Sequence, residues 1–240
     1  MDNLVKESIC IIPARGNSKR IPNKNRMEFH GKPMLAWTIL AAKESQLFDH
    51  IIVSTDNEKI AEISQKYGAE VPFLRKKHAD DQSPVSLASF SALIEAEKFF
   101  EKEFSTIVQL MPNCPLRTSE DIRNSINYFE KSNTAFQISV TRYQWLNPWW
   151  ALHIDKNNQP KPIFEEELRS RSQDLPELYC PTGAIWIAQS EAFKKEKTFY
   201  GKNYQICELD WESAIDIDTK EDLAMAELLM KERLRINEVN

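Results

Sequence analysis

The run IIPARGNSKRIPNKN, residues 11–25, decides how the rest of the chain is read. It begins in an apolar stretch, Ile9 to Ile12, and passes through Pro13 and Gly16 into a loop that gathers Arg15, Lys19, Arg20 and Lys24 within ten residues. A short apolar run closed by Pro and Gly is the pattern of a buried parallel strand entering a loop. In an open parallel sheet, ligands bind in the crevice outside the carboxyl ends of the strands, so the loop leaving a first strand is placed to hold one. Gly16 lets backbone N–H groups approach a phosphate, and Lys and Arg supply charge-assisted hydrogen bonds to its oxygens. The spacing is neither GxxxxGK[ST] nor GxGxxG. A solvated basic loop is the plainer reading of the same residues.

Downstream, strands and helices alternate. PMLAWTILAAKESQLF (33–48) starts at a Pro and carries apolar residues at helical spacing, HIIVSTD (50–56) is β-rich, and NEKIAEISQKYGAE is a helix with its stop at Gly68. A longer helix is expected over Ser86 to Phe100, then a strand in STIVQLM (105–111) and an amphipathic helix in SEDIRNSINYFEKS (119–132). This order predicts an α/β fold, a mostly parallel sheet with helices on both faces. AFQISVT (135–141) reads as another strand, but residues 142–178 are rich in Pro, Trp and charge and hold no long helical period. They are expected to form a small projecting segment, approximately 140–180, within one domain spanning 1–240. GAIWIA (183–188) returns to a strand, and Thr219 to Arg233 closes the chain as an amphipathic helix.

The chain has 240 residues with 42% hydrophobic content, enough to bury a substantial core. Its net charge of −5 argues against a nucleic-acid partner, which needs a basic face, and makes the local basic cluster more informative. No apolar run is long enough for a membrane span and MDNLVKES lacks a signal-peptide core, so a cytoplasmic location is expected. Cys10, Cys114, Cys180 and Cys207 form no CxxC pair and are read as reduced thiols. The four histidines have no ligand spacing.

Near the other end, SAIDIDT (213–219) sets Asp216 and Asp218 two apart, which in an extended segment turns both carboxylates to one face. Magnesium takes oxygen ligands, keeps waters and bridges to substrate phosphates, so two carboxylates suffice for it. Alternatively the segment is a polar edge whose Asp218 or Thr219 caps the following helix, and both readings can hold together.

ARGNSKRIPNKN, followed by GKPM (31–34), resembles the nucleotide-binding signature of the acylneuraminate cytidylyltransferases, the CMP-sialic acid synthetases and their relatives acting on nonulosonic acids. The resemblance continues in order through VSTD, YGAEVPFLR, PNCPLRT, SQDLP, GAIWI and SAIDIDTKEDL, over nearly the whole chain. It implies a Rossmann-like nucleotide-diphospho-sugar transferase fold and a homodimer. The implied reaction transfers CMP from CTP to the anomeric hydroxyl of a sialic-acid-like sugar acid for surface glycan biosynthesis, releasing pyrophosphate. On this resemblance Arg15, Gly16, Asn17, Ser18, Lys19, Lys24 and Asn25 hold the nucleotide, Arg15 and Lys19 act in catalysis with Asp216 and Asp218, and the two aspartates hold magnesium. Arg20 is set apart and expected to face solvent. HADDQSPVS (78–86) would reach the cytosine, with Ser83 or Ser86 reading the base edge.

On the sugar side the pattern changes. Sialic acid synthetases show LQPTSPLR, RQDLP and NGAIY where this chain has LMPNCPLR, SQDLP and TGAIW, so Met111, Ser172, Thr182 and Trp186 are altered positions expected around one pocket. Arg171, Gln173 and Asp174 are further candidate sugar contacts. The changes argue for a modified nonulosonate of pseudaminate or legionaminate type rather than N-acetylneuraminate. The tryptophans of WLNPWW (145–150) are expected in core or dimer interface more than against ligand. Alternatives are an enzyme using 3-deoxy-manno-octulosonate, or a non-catalytic nucleotide-binding module.

Overall fold

The computed structural model describes residues 7–76 and 83–239. Strand β1 (Ser8–Pro13) buries Ile9, Cys10, Ile11 and Ile12 completely. Side chains of a strand alternate between faces, so an uninterrupted apolar run requires cover on both. Beyond the basic loop, β2 (Glu28–Phe29) and β3 (Lys32–Pro33) form a tight hairpin through His30 and Gly31, both at positive φ. Helix α1 (Met34–Ser45), strand β4 (His50–Ser54) and helix α2 (Glu58–Tyr67) follow. Asn57 caps α2 by accepting from the Ile60 N–H, and Gly68 ends it at φ 94°, as its sequence position predicts. Then come α3 (Val85–Phe100), β5 (Thr106–Gln109) and α4 (Ser119–Glu130), the last started by a reciprocal Thr118–Asp121 capping box.

The second half contains β6 (Phe136–Arg142), a hairpin of β7 (Leu152–Ile154) and β8 (Pro160–Pro162), β9 (Tyr179–Gln189), α5 (Ser190–Glu196), β10 (Gln205–Glu208) and α6 (Lys220–Val239). Six strands make the central sheet in the order β10-β6-β9-β5-β1-β4. Apolar residues of α1, α2 and α4 pack on one face, with Ile39, Ile60 and Ile126 among them. Leu93 of α3 and Phe193 of α5 cover the other face together with Phe136 and Phe199. A third cluster, with Phe29, Met34, Leu116, Ile217 and Met230, seals α6 over the end of the sheet.

The alternation of strands and helices is as expected, and so is the mostly parallel sheet, except at β9. β9 runs antiparallel to both β5 and β6, while β1–β4, β1–β5 and β6–β10 are parallel. Parallel neighbours need a crossover, usually a helix. The segment between β6 and β9 holds only short turns and one hairpin, and its ends meet where the Tyr143 N–H donates to the Leu178 carbonyl at 3.3 Å. The chain therefore goes out from β6 and comes back along it. Helix α5 and strand β10 have no counterpart in the sequence reading, because SEAFKKE and QICE are too short to show a period. The tryptophans of WLNPWW are not core: Trp145 is 81% and Trp150 39% exposed, and Trp149 is half-buried.

Gly201 stands where any Cβ would enter the ring of Phe136, which is fully buried at the start of β6. Gly201→Ala is expected to destabilise the fold by about 1–3 kcal/mol through overpacking. Urea unfolding should show a lower midpoint with an unchanged slope; an unshifted midpoint would mean the ring moves aside without cost.

Candidate active site

The loop after β1 is tied down residue by residue. The Ala14 N–H continues the ladder to the Ser54 carbonyl at 2.9 Å, and the Gly16 N–H donates to Asp56 at 2.7 Å. A side chain at Gly16 would meet Asn57 at 3.0 Å, so glycine lets the loop approach the start of α2 closely. The Gly16 N–H thus serves the loop's own architecture, which differs from the phosphate contact expected of it. Buried Asn25 donates from Nδ2 to the Arg15 carbonyl at 3.0 Å, and its Oδ1 is buried with no partner among the described residues.

Facing this loop is the segment before α6. Ile217 is fully buried, so in an extended chain its neighbours Asp216 and Asp218 turn the other way. They close one side of a cavity of about 500 Å³ whose other walls include Arg15, Ser18, Lys19, Arg20, Lys24 and Asn25, with Met111 and Asn113 from the loop after β5. Lys24 Nζ donates to Asp218 Oδ1 at 2.8 Å and to the Ile217 carbonyl at 2.6 Å. Arg20 donates to Asp218 Oδ2 at 2.5 Å. Arg20 is largely exposed, as expected, yet it belongs to the site. Thr219 caps α6: its Oγ1 accepts from the Asp222 N–H, and the Asp222 carboxylate accepts from the N–H groups of Thr219 and Asp218. Capping and site geometry therefore coexist, with Thr219 as the cap and Asp218 turned to the cavity.

The donors on this side are all oxygens, and among the described residues no group of three or more His, Cys, Asp or Glu could hold a metal ion. Two carboxylates with a buried unpartnered amide oxygen at Asn113 suit a hard cation that completes its shell with water and phosphate. Cys10 and Cys114 do not compete for one, because burial pushes both thiols well above their ordinary range.

The expected sugar contacts are not brought together. Met111 lines the cavity. Thr182 is buried on β9 and shares a hydrogen bond with Ser139 at 2.8 Å, because Gly183, next along the strand, is the residue that faces Met111. Trp186 donates to the Thr182 carbonyl at 2.6 Å and packs with Phe199 and Tyr200. Ser172 and Gln173 line a separate groove on the segment between β6 and β9, and Arg171 pairs with Asp174 at 2.8 Å. Exposed Asn17, half-buried Ser83 and buried Ser86 are not among the cavity walls. Residues 78–82 of the expected cytosine segment lie outside the described residues.

Two buried arginines escaped the sequence reading although both sit in the motifs that carry the resemblance. Arg117 donates to the carbonyls of Ala184 at 2.7 Å and Met111 at 3.3 Å, holding the middle of β9 against the loop that leaves β5. Burial pushes its guanidinium below the ordinary value. Arg75 lies behind the basic loop, lowered by burial, with Asp56 opposing and Arg15 reinforcing the shift. Their motif positions were the available signal; their burial was not legible.

Burial, reinforced by Asp218, pushes the Asp216 carboxyl up from 3.8 to about 6, with Lys24 offsetting part of the rise. The folded chain thus binds this proton more readily than the unfolded chain does. The cost of an ionised Asp216 is present in full above pH 6 and is relieved as pH falls toward 3.8. In EDTA at pH 8, Asp216→Asn is expected to stabilise the protein by about 1–3 kcal/mol. In thermal melts the gain should shrink as pH drops through 6; a lower melting temperature for the Asn form at pH 8 would contradict this account.

A family model described as cytidylyltransferase matches residues 9–237. The chain is 34% identical over 225 residues to a pseudaminic acid cytidylyltransferase of Campylobacter jejuni, covering 94% of this chain and 97% of that one. It is also 34% identical over 226 residues to a CMP-N,N'-diacetyllegionaminic acid synthase of Legionella pneumophila, covering 93% and 96%. Its fold is that of a CMP:2-keto-3-deoxy-manno-octonic acid synthetase complexed with CTP, at a TM-score of 0.69 and 14% identity over 95% of this chain and 99% of that one. With a basic loop and a carboxylate pair closing one cavity at the end of the sheet, the chain belongs to the cytidylyltransferase family.

Proposed function

We propose that this nucleotidyltransferase moves CMP from CTP to the anomeric hydroxyl of a nonulosonic acid. The observation that carries the reading is the cavity itself, where Arg15, Lys19, Arg20 and Lys24 stand opposite Asp216 and Asp218. The sugar hydroxyl attacks the α-phosphorus, the bond to the bridging oxygen of the β-phosphate breaks, and pyrophosphate leaves as the hydroxyl's proton passes to water. Charge grows on the leaving group, and fixed cations aimed at it lower the barrier. Arg15, Lys19 and Lys24 have this role, and the unpartnered Asn25 Oδ1 is an acceptor for a nucleotide donor. Asp216 and Asp218 would hold magnesium, which when bound supplies charge against the triphosphate and lowers the pKa of the attacking hydroxyl.

The relatives acting on pseudaminic and legionaminic acids support a modified nonulosonate as the acceptor. The apolar Met111 at the cavity wall agrees with an altered sugar pocket. A homodimer is part of the reading, supported by the apolar surface of the projecting segment, where Trp145 is 81% and Leu146 65% exposed. A cytoplasmic site fits the CTP supply and the four free cysteines. Among the described residues no helix is long and apolar enough to cross a membrane.

Pyrophosphate release should require CTP, magnesium and a nonulosonic acid, with pseudaminic and legionaminic acids in the panel beside N-acetylneuraminate and an octulosonate. Release with the octulosonate alone would transfer the chain to that class, and none with any acceptor would favour a binding module. Lys24→Ala is expected to lower kcat/KM by about 10²–10³-fold. Near-wild-type turnover of both Asp216→Asn and Asp218→Asn at saturating magnesium would remove the cation from the reading. Light scattering should give a dimer mass, and Trp145→Glu with Leu146→Glu a monomer; an unchanged dimer would place the interface elsewhere.

A further inference from the structure

Asn113, in the loop between β5 and α4, is only 3% exposed and reaches the aspartate segment by several bonds. Its Nδ2 donates to Asp216 Oδ1, to the Ile217 carbonyl at 3.2 Å and, at the long limit of 3.5 Å, to Asp218 Oδ1. Its backbone carbonyl accepts from the Ile217 N–H at 2.9 Å. Three acceptors gathered around one atom define which end of the amide is the nitrogen. The Oδ1 is then buried with no partner among the described residues, on a side chain that lines the cavity.

A purely structural tie accounts for the Nδ2 and backbone bonds and leaves the oxygen unexplained. Threonine stands at this place in the LQPTSPLR pattern, so the amide is one more departure of this chain from that pattern. Buried polar groups are normally paired, and an orphan acceptor beside two carboxylates is what an oxygen ligand looks like without its cation. Asp218 already has Lys24 and Arg20 as countercharges. Asp216 has its Oδ1 held by Asn113, and its Oδ2 lies 3.6 Å from where a Gly183 side chain would begin.

We propose that Asn113 is a member of the cation site: its Nδ2 holds Asp216 by one oxygen, and its own Oδ1 supplies a further protein oxygen to the ion. The inference rests on the magnesium reading above. Manganese stands in for magnesium and is counted by the loss of its free-ion electron paramagnetic resonance signal, with the metal alone and with CTP but no sugar acid. Asn113→Ala is expected to weaken manganese binding about tenfold or more. Asn113→Asp, which keeps the volume and an oxygen, should bind manganese at least as tightly as wild type. Wild-type affinity in the Ala form, or an Asp form as weak as the Ala form, would overturn the role of Asn113. A wild-type protein that binds no manganese, with or without CTP, would overturn the cation reading itself. Should the Ala form fail to fold in a thermal melt, the Asp form alone decides, and manganese binding tenfold or more below wild type in it would overturn the role.

Discussion

Burial of Ile217 is the constraint on which the site depends. The basic loop and the aspartate segment are far apart in sequence and have no strand pairing between them. Ile217 inserts among Ile21, Phe29, Met34, Leu116 and Met230, which come from the basic loop, the β2–β3 hairpin, α1, the loop between β5 and α4, and α6. Burying one isoleucine is worth about 1.5–3 kcal/mol, and this apolar contact, rather than charge, is what stabilises the convergence. The Lys24–Asp218 pair, with Lys24 13% exposed, must offset the desolvation of both partners and adds little net stability. Its effect is specificity: it settles where the carboxylate and the ammonium sit once the apolar pin has brought them together.

From that pin follows an asymmetry between the two aspartates. Ile217 turned inward forces both neighbours toward the cavity, but their surroundings differ. Asp218 meets Lys24 and Arg20 and is balanced. Asp216 is more deeply held, has an amide rather than a cation at its bonded oxygen, and resists ionisation. A protein selected for stability alone would neutralise that position. Its retention beside a basic loop in a cytidylyltransferase is the pattern of a site that gives up stability for charge placed where a ligand needs it.

Much of this was legible in the chain because it rests on local rules. The buried first strand, the stop at Gly68, the Asp–Ile–Asp alternation and the basic loop each depend on a period of two or on one residue's backbone freedom, which a sequence displays directly. What was not legible rests on distant partners. The direction of β9 depends on where residues 143–178 return the chain, Arg20 belongs to the site only because α6 carries Asp218 to it, and Asn113 matters only against Asp216. The expectation that Met111, Ser172, Thr182 and Trp186 surround one pocket failed for a simpler reason. Sequence differences were grouped by function, while strand alternation puts Thr182 on the opposite side of β9 from Gly183, against Ser139.

That scatter bears on how the proposed acceptor site is built. The cations and carboxylates proposed to hold the nucleotide converge within one chain around one cavity. Of the altered positions only Met111 lines that cavity, while Ser172 and Gln173 line a groove on the segment between β6 and β9. The same segment carries four strongly exposed apolar side chains, Trp145, Leu146, Ile154 and Ile163. An apolar surface of this kind is costly in water unless something closes on it. In the proposed dimer a second copy supplies that cover, and the groove residues then come under selection with the surface of another subunit rather than with their own cavity. Substitutions at Ser172 and Gln173 would on this view change acceptor use without altering CTP affinity, separating the two halves along the line where the chain leaves the sheet.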